Sequence, residues 1–403
     1  MPGRYALPGY LVGATAARTG DEVSGPALLL VGLAATGSVA TGSGLLAALT
    51  ISAAIGGPVL GALLDRSHRP GRLLAGALAA YTAGLGVLLA GAGQLPTPLA
   101  LAVALLTGMC NAAISGGWTA QLPGVVPAER FARANALDAL TYGLAGLAGP
   151  ALAGLLGSIL GAPAALLAAI VLVAAALPVA ATLPRPATRP PPRSLTRDMR
   201  AGFTAIARSR SLLAGTATSV VAFAGVGMLV VCCPVLGTQR FGDAGRGTLL
   251  LAVLAATAMA ANALLARRPG LLRPDLVLAA STLLLGAGML TAALTSHPGY
   301  AVLAVVIAGL GDGPQLTALF AIRHREAPAR LRAQIFTTGA SLKISGFALG
   351  SALAGPLAAT SLTACLLVAA GVELLAALTF LACHRWWPGK PGGLRRPSLE
   401  RAA

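Results

Sequence analysis

Apolar runs of about twenty residues recur along nearly the whole chain, and each ends in a short polar segment. They lie at about residues 7–34, 44–64, 73–91, 99–118, 136–160, 164–183, 212–236, 248–265, 276–294, 301–320, 335–359 and 362–383. A helix of about 20 residues crosses a hydrocarbon core about 30 Å thick. The pattern therefore predicts an all-α polytopic membrane protein with twelve transmembrane helices. The first run is ambiguous, because Met1 to Ala16 offers one arginine, a short apolar stretch and the triplet Ala14-Thr15-Ala16, as a signal peptide would. Removing that stretch would leave the next segment short of a full crossing, so an uncleaved helix is the preferred reading.

Charged residues make up 10% of the 403-residue chain, against about 25% in soluble domains. That is too few to clothe a hydrated surface. A formal charge of +17 would suggest nucleic acid in a soluble protein. Here the basic residues sit between apolar runs, with no aromatic-rich basic patch to stack bases, so no nucleic-acid partner is expected. They report topology instead. With the N-terminus inside, 25 of the 29 Lys and Arg residues fall in cytoplasmic segments and two, Arg240 and Arg246, fall outside. Such a bias predicts both termini on the cytoplasmic face of the cell membrane. The five cysteines lie in or beside apolar runs without metal spacing, and the four histidines lie in loops or at run ends. Neither set suggests a metal site.

A proline- and arginine-rich stretch, with Pro190-Pro191-Pro192 at its centre, divides the chain. Three consecutive prolines predict an extended, hydrated linker. The expected organisation is a six-helix half over 1–183, a cytoplasmic linker over 184–210, a second half over 211–383 and a basic tail over 384–403. The halves repeat. An offset of 201 residues lays Ala62-Leu63-Leu64 on Ala263-Leu264-Leu265, Gly108 on Gly309, Asn111 on Asp312 and Gly149–Gly154 on Gly350–Gly355.

Between the second and third runs stands Gly57–Arg72, GPVLGALLDRSHRPGR. Gly61-x-Leu63-x-Asp65-Arg66-x-x-Arg69 resembles the loop between helices 2 and 3 of the major facilitator superfamily, G-x-L-A-D-R-x-G-R-K. His68 and Pro70 depart from that pattern. Gly149-Pro150 with Gly154 partly resembles the fifth-helix signature of exporters in the superfamily, with Ala145 and Ala153 where glycines are expected. Generic small-residue packing explains the same residues. The resemblance implies two six-helix halves that rock about a central site, with helices 1, 4, 7 and 10 lining the cavity. It also implies that Asp65 meets the start of helix 11 and that this contact holds the outward-facing state. The superfamily's fourth-helix arginine is missing, because Ala104 falls at its place.

Charges inside the runs are the candidates for chemistry, since each costs from about 2.5 to more than 10 kcal/mol to bury in lipid. Arg18, Asp21 and Glu22 are spaced to share one face of the first helix. They form either an ion-pair cluster that fixes packing or a site where an acid exchanges a proton or binds a cationic group. Asn111 and Asp312 occupy matching places in helices 4 and 10, with Gln315 a turn further on and glycines 309, 311 and 313 nearby. Lys343 is the one lysine within a run and calls for a carboxylate, in the order Asp21, Glu22, Asp312, Glu373. Glu373 stands alone in helix 12 and reads as structural.

There is no Walker A string, no nucleotide domain, and no His/Asp or Ser/Lys constellation, so neither a cofactor nor an enzyme is expected. The sequence reads as a monomeric secondary transporter resembling drug/proton antiporters, exchanging protons for small hydrophobic or cationic compounds across the lipid bilayer. An importing symporter or facilitator for a metabolite is the alternative, and a membrane-embedded enzyme or transporter-like sensor a more distant one.

Overall fold

A computed structural model describes residues 6–184, 195–242, 244–267, 273–294 and 296–385. The three prolines of the linker, Trp386-Trp387 and the basic tail lie outside the described residues. Among the described residues, fourteen α-helices account for the fold. The first half holds α1 (Ala6–Thr36), α2 (Val39–Arg66), α3 (Pro70–Ala90), α4 (Thr97–Gly108), the short α5 (Leu122–Val125), α6 (Phe131–Ile159) and α7 (Ala162–Thr182). After α8 (Leu195–Arg208) the second half holds α9 (Arg210–Phe241), α10 (Ala244–Arg267), α11 (Pro274–Leu294), α12 (Pro298–Glu326), α13 (Arg332–Thr360) and α14 (Leu362–Arg385).

Among the described residues, eleven stretches are long and apolar enough to span a membrane. The twelfth crossing is α1, whose 31 residues include Arg18, Asp21 and Glu22. Large apolar side chains such as Leu106, Ile159 and Leu294 are about two-thirds exposed, a surface that lipid covers and water would not. The repeat is visible in the bounds. Shifted by 201 residues, Phe131–Ile159 becomes Arg332–Thr360, and the first residue of α4 becomes the first of α12.

Helix ends follow local chemistry. Ser38 caps α2 by accepting from the Thr41 amide at 3.3 Å, and Pro70 opens α3, where its missing N–H costs nothing. The fourth span departs from a plain helix. After Gly108 it loosens at Met109–Cys110 and passes through a π-helical turn, Ala113–Gly117. Such turns re-aim the side chains around them, and Asn111 stands at this one. Within the region expected to be linker, Leu195–Arg208 is a helix. Its apolar face buries Ile206 against Leu212, Leu331 and Ile335.

Each half has its own apolar core, one around Leu28, Leu78, Trp118 and Leu166, the other around Met228, Cys232, Met289 and Cys365. The first core extends into the second half through Phe320, Ala333 and Phe336. Contact between the halves runs along α2 and α13 from Asp65–Gln334 to Gly57–Ser341. Along α6 it runs from Asn135–Thr317 to Gly143–Met259. Past those points α2 packs on its own half, with Gly56 against Met109 and Gly42 against Leu29. Likewise Gly346 and Gly350 of α13 turn to Val220 and Ala224. The halves are therefore joined at the end that carries Asp65.

Candidate functional site

Asp65 is the last acid of α2, where the helix dipole disfavours a carboxylate. It is held by the opposite dipole. The backbone amides of Ala333 and Gln334, at the start of α13, donate to its two oxygens at 2.9 and 2.8 Å. One turn back, Gly61 lets the helices touch: a Cβ there would lie 2.5 Å from Gln334 Cα and crowd Thr337. Arg66 reaches Asp198 of α8 at 3.6 Å, and Gln334 Nε2 donates to the Met199 carbonyl at 2.7 Å. So α8 is packed beneath the α2–α13 junction. Arg69 is exposed and makes no side-chain contact of this kind among the described residues.

The three charges of α1 do not neutralise one another. Arg18 is buried and turns to α6, where Asp138 takes it in a 2.9 Å ion pair. Its guanidinium also donates to the Asp138 carbonyl at 3.0 Å, to Thr119 at 2.9 Å and to Thr141, and lies 3.7 Å from the centre of the Tyr142 ring. Tyr10 and Thr119 donate to the same carboxylate at 3.0 and 2.9 Å. Asp138, fully buried, is the residue that sequence reasoning missed. The signal was present, an acid inside the run at 136–160, but its partner is 120 residues away.

Asp21 faces α3 and α4 instead. Tyr81 donates to it at 2.6 Å and the Asn111 amide donates to both oxygens at 2.6 Å. Tyr81, a second missed residue, also meets Ser24 at 2.8 Å. The structure thus brings Asp21 and Asn111 together. Glu22 is exposed and makes no hydrogen bond or ion pair among the described residues. Its backbone and Cβ press on Gly149 of α6, where an added Cβ would sit 2.4 Å from Glu22 Cβ. Only this first glycine of the fifth-span motif makes a close approach. Pro150 is exposed, and a Cβ at Gly154 would meet nothing within 4 Å.

In the second half the expected order of partners for Lys343 fails, because Asp21 is engaged by Tyr81 and Asn111. The Lys343 ammonium lies 4.1 Å over the Phe223 ring. It makes no salt bridge among the described residues, and the carboxylates whose field it feels are Asp312 and Glu373. Glu373 is fully buried against Gly225 of α9 and Gly286 of α11, and neither oxygen is hydrogen-bonded among the described residues. Gln315 is buried and donates to Thr282 at 2.9 Å.

Arg323 and His324, expected in a cytoplasmic segment, are instead buried near the end of α12. They belong to an aromatic layer between the halves. Tyr142 meets Phe320 at 5.5 Å, Phe320 meets Phe336 at 5.7 Å, and His324 sits between Phe336 at 4.4 Å and Phe131 at 4.8 Å. Two rings from α6 of one half thus flank three from α12 and α13 of the other, a continuous run of ring contacts across the junction.

The profile of the Major Facilitator Superfamily matches residues 10–342. The chain belongs to the major facilitator superfamily. It is 28% identical over 393 residues to the uncharacterized MFS-type transporter y4rN of Sinorhizobium fredii, covering 95% of each chain. Its fold is similar to the human organic anion transporter MFSD10 (TETRAN), with a TM-score of 0.74 at 17% identity over 94% of this chain and 100% of that one. It is likewise similar to a bacterial homologue of the iron transporter ferroportin in its outward-facing state, with a TM-score of 0.75 at 15% identity over 94% and 99%. The protein is therefore a multi-pass membrane transporter of a superfamily that carries small molecules.

Proposed function

We propose that the protein is a proton-coupled exporter of small hydrophobic or cationic compounds in the cell membrane. Both termini are cytoplasmic, and a single chain works by alternating access. The observation that carries this reading is the separation of charges on α1. Because Asp138 neutralises Arg18, Asp21 and Glu22 are left as two uncompensated acids, one held by neutral donors and one exposed. Acids so placed take up either a proton or a cationic group, and competition between the two is the elementary step of antiport. The Asp65 end, where arginines 66, 69 and 72 cluster, is assigned to the cytoplasm by the charge bias. The conformation is then outward-facing.

The test is transport by proteoliposomes under an imposed pH gradient, with a fluorescent lipophilic cation as substrate and an enclosed pH dye. Asp21→Asn and Glu22→Gln should each lower gradient-driven uptake at least tenfold, and one of them should retain exchange without a gradient. Full gradient-driven transport by both variants would leave the α1 acids with a structural role only.

A further inference from the structure

Beside the aromatic layer lies a cavity of about 430 Å³ that the transport reading does not use. It is built from both halves, with Phe131 and Asn135 of α6 on one side and Thr317, His324 and Arg325 of α12 and Arg332 of α13 on the other. Val126, Leu265 and Val277 complete an apolar wall. Among the described residues, three basic side chains line the cavity and no Asp or Glu does.

Three of its polar side chains carry buried atoms without a hydrogen-bond partner among the described residues. His324 is 7% exposed, yet neither ring nitrogen is hydrogen-bonded. Arg332 Nε is buried and unpartnered as well. Asn135 is 1% exposed; its amide nitrogen donates to the Thr317 carbonyl at 2.9 Å, which fixes the side chain and leaves Oδ1 without a donor. Buried polar groups without partners cost free energy, and here they converge on one cavity. Arg325 is already held by Asp275 through bonds of 2.9 and 3.1 Å. An anion in the cavity is therefore met by His324 and Arg332, and Asn135 asks for a hydroxyl.

We propose that this cavity binds the headgroup of an anionic phospholipid from the surrounding leaflet. The phosphate lies at His324 and Arg332, a headgroup hydroxyl donates to Asn135, and the apolar wall receives the start of an acyl chain. Charge complementarity and the mixed lining favour this occupant over a free anion, which would gain nothing from Val126, Leu265 and Val277. The cavity lies at the end of the bundle where basic segments concentrate, the level at which anionic headgroups gather. Because both halves supply the site, separating them dismantles it. The lipid binds the conformation described here better than one open at this end, and so favours it by that difference in affinity. The inference holds whichever substrate is carried.

The experiment is thermal unfolding of the full chain in a nonionic detergent with phosphatidylglycerol, phosphatidylcholine or inorganic phosphate added. Phosphatidylglycerol should raise Tm by about 3 °C or more over phosphatidylcholine at the same mole fraction, and inorganic phosphate should not. The difference should vanish in the double variant H324Q/R332Q and in Ala321→Phe, which fills the cavity without changing charge. Native mass spectrometry of the unaltered protein should show one phosphatidylglycerol retained in preference to phosphatidylcholine. Equal shifts from the two lipids, a shift that survives Ala321→Phe, or no preference in the mass spectra would overturn the proposal. Inorganic phosphate reproducing the whole shift would overturn it in favour of a free-anion site.

Discussion

A charge buried in a membrane protein is defined by what it faces, and sequence spacing shows only what it stands beside. Arg18, Asp21 and Glu22 share a face on paper, yet within one helical turn their partners diverge to α6, to α3 with α4, and to open space. The presence of costly charges on α1 was legible, because hydropathy exposes them. The identity of Asp138 as the counter-ion was not, since it depends on how α1 and α6 are packed. A test follows at this scale. Asp138→Asn leaves a buried guanidinium without its carboxylate and should cost about 3–5 kcal/mol, whereas R18M/D138L should recover most of the lost stability. Thermal unfolding of the detergent-solubilised variants measures both. For Lys343, a double-mutant cycle with Asp312→Ala and Glu373→Ala should return a larger coupling than one with Asp21→Ala.

Between the elements, the junction of α2 with α13 joins two features visible separately in the sequence. The acid at Asp65 marks the turn, and the small residue at Gly61 one turn earlier permits the approach. Family resemblance placed Asp65 near helix 11, while the reason it fits is the pair of free amides at Ala333 and Gln334. Asp65→Asn keeps one acceptor and loses the charge. It should insert normally, with unchanged membrane levels, and lose most transport. Gly61→Val places side-chain atoms where Gln334 Cα and Thr337 already lie, so it should drive the halves apart at this end. What the sequence could not show at this scale is α8. A stretch next to three prolines reads as linker until Asp198, Met199 and Ile206 are seen to have partners.

For the whole molecule, the twelve crossings and the internal repeat were legible because lipid imposes a simple rule on every span. Arginines near span ends were legible only as a group. The charge bias treats Arg323 like Arg69, although one is buried beside Phe336 and the other is exposed. The difference arises where the halves meet, which no single span encodes. Spin labels on cysteines at Arg69 and Arg330 report this end, and labels at Thr36 and Thr238 report the other. Conditions that change the conformation should lengthen the first distance and shorten the second together. Changes confined to one pair would exclude a rocking motion.

The Asp65 contact has no twin. The position 201 residues on is Ala266, so the repeat is broken where the Asp65 carboxylate joins α2 to α13. Hydrogen bonds to a charged group contribute about 1.5–3 kcal/mol each, and 1.4 kcal/mol is a factor of ten in population. The two half-cycles therefore differ in tempo. An empty carrier should spend most of its time waiting with this end shut, and the escape from that wait should be the slow step of turnover. Pre-steady-state kinetics should then show Asp65→Asn shortening the dwell in this conformation and slowing the return to it, so that the return becomes the step that limits the variant.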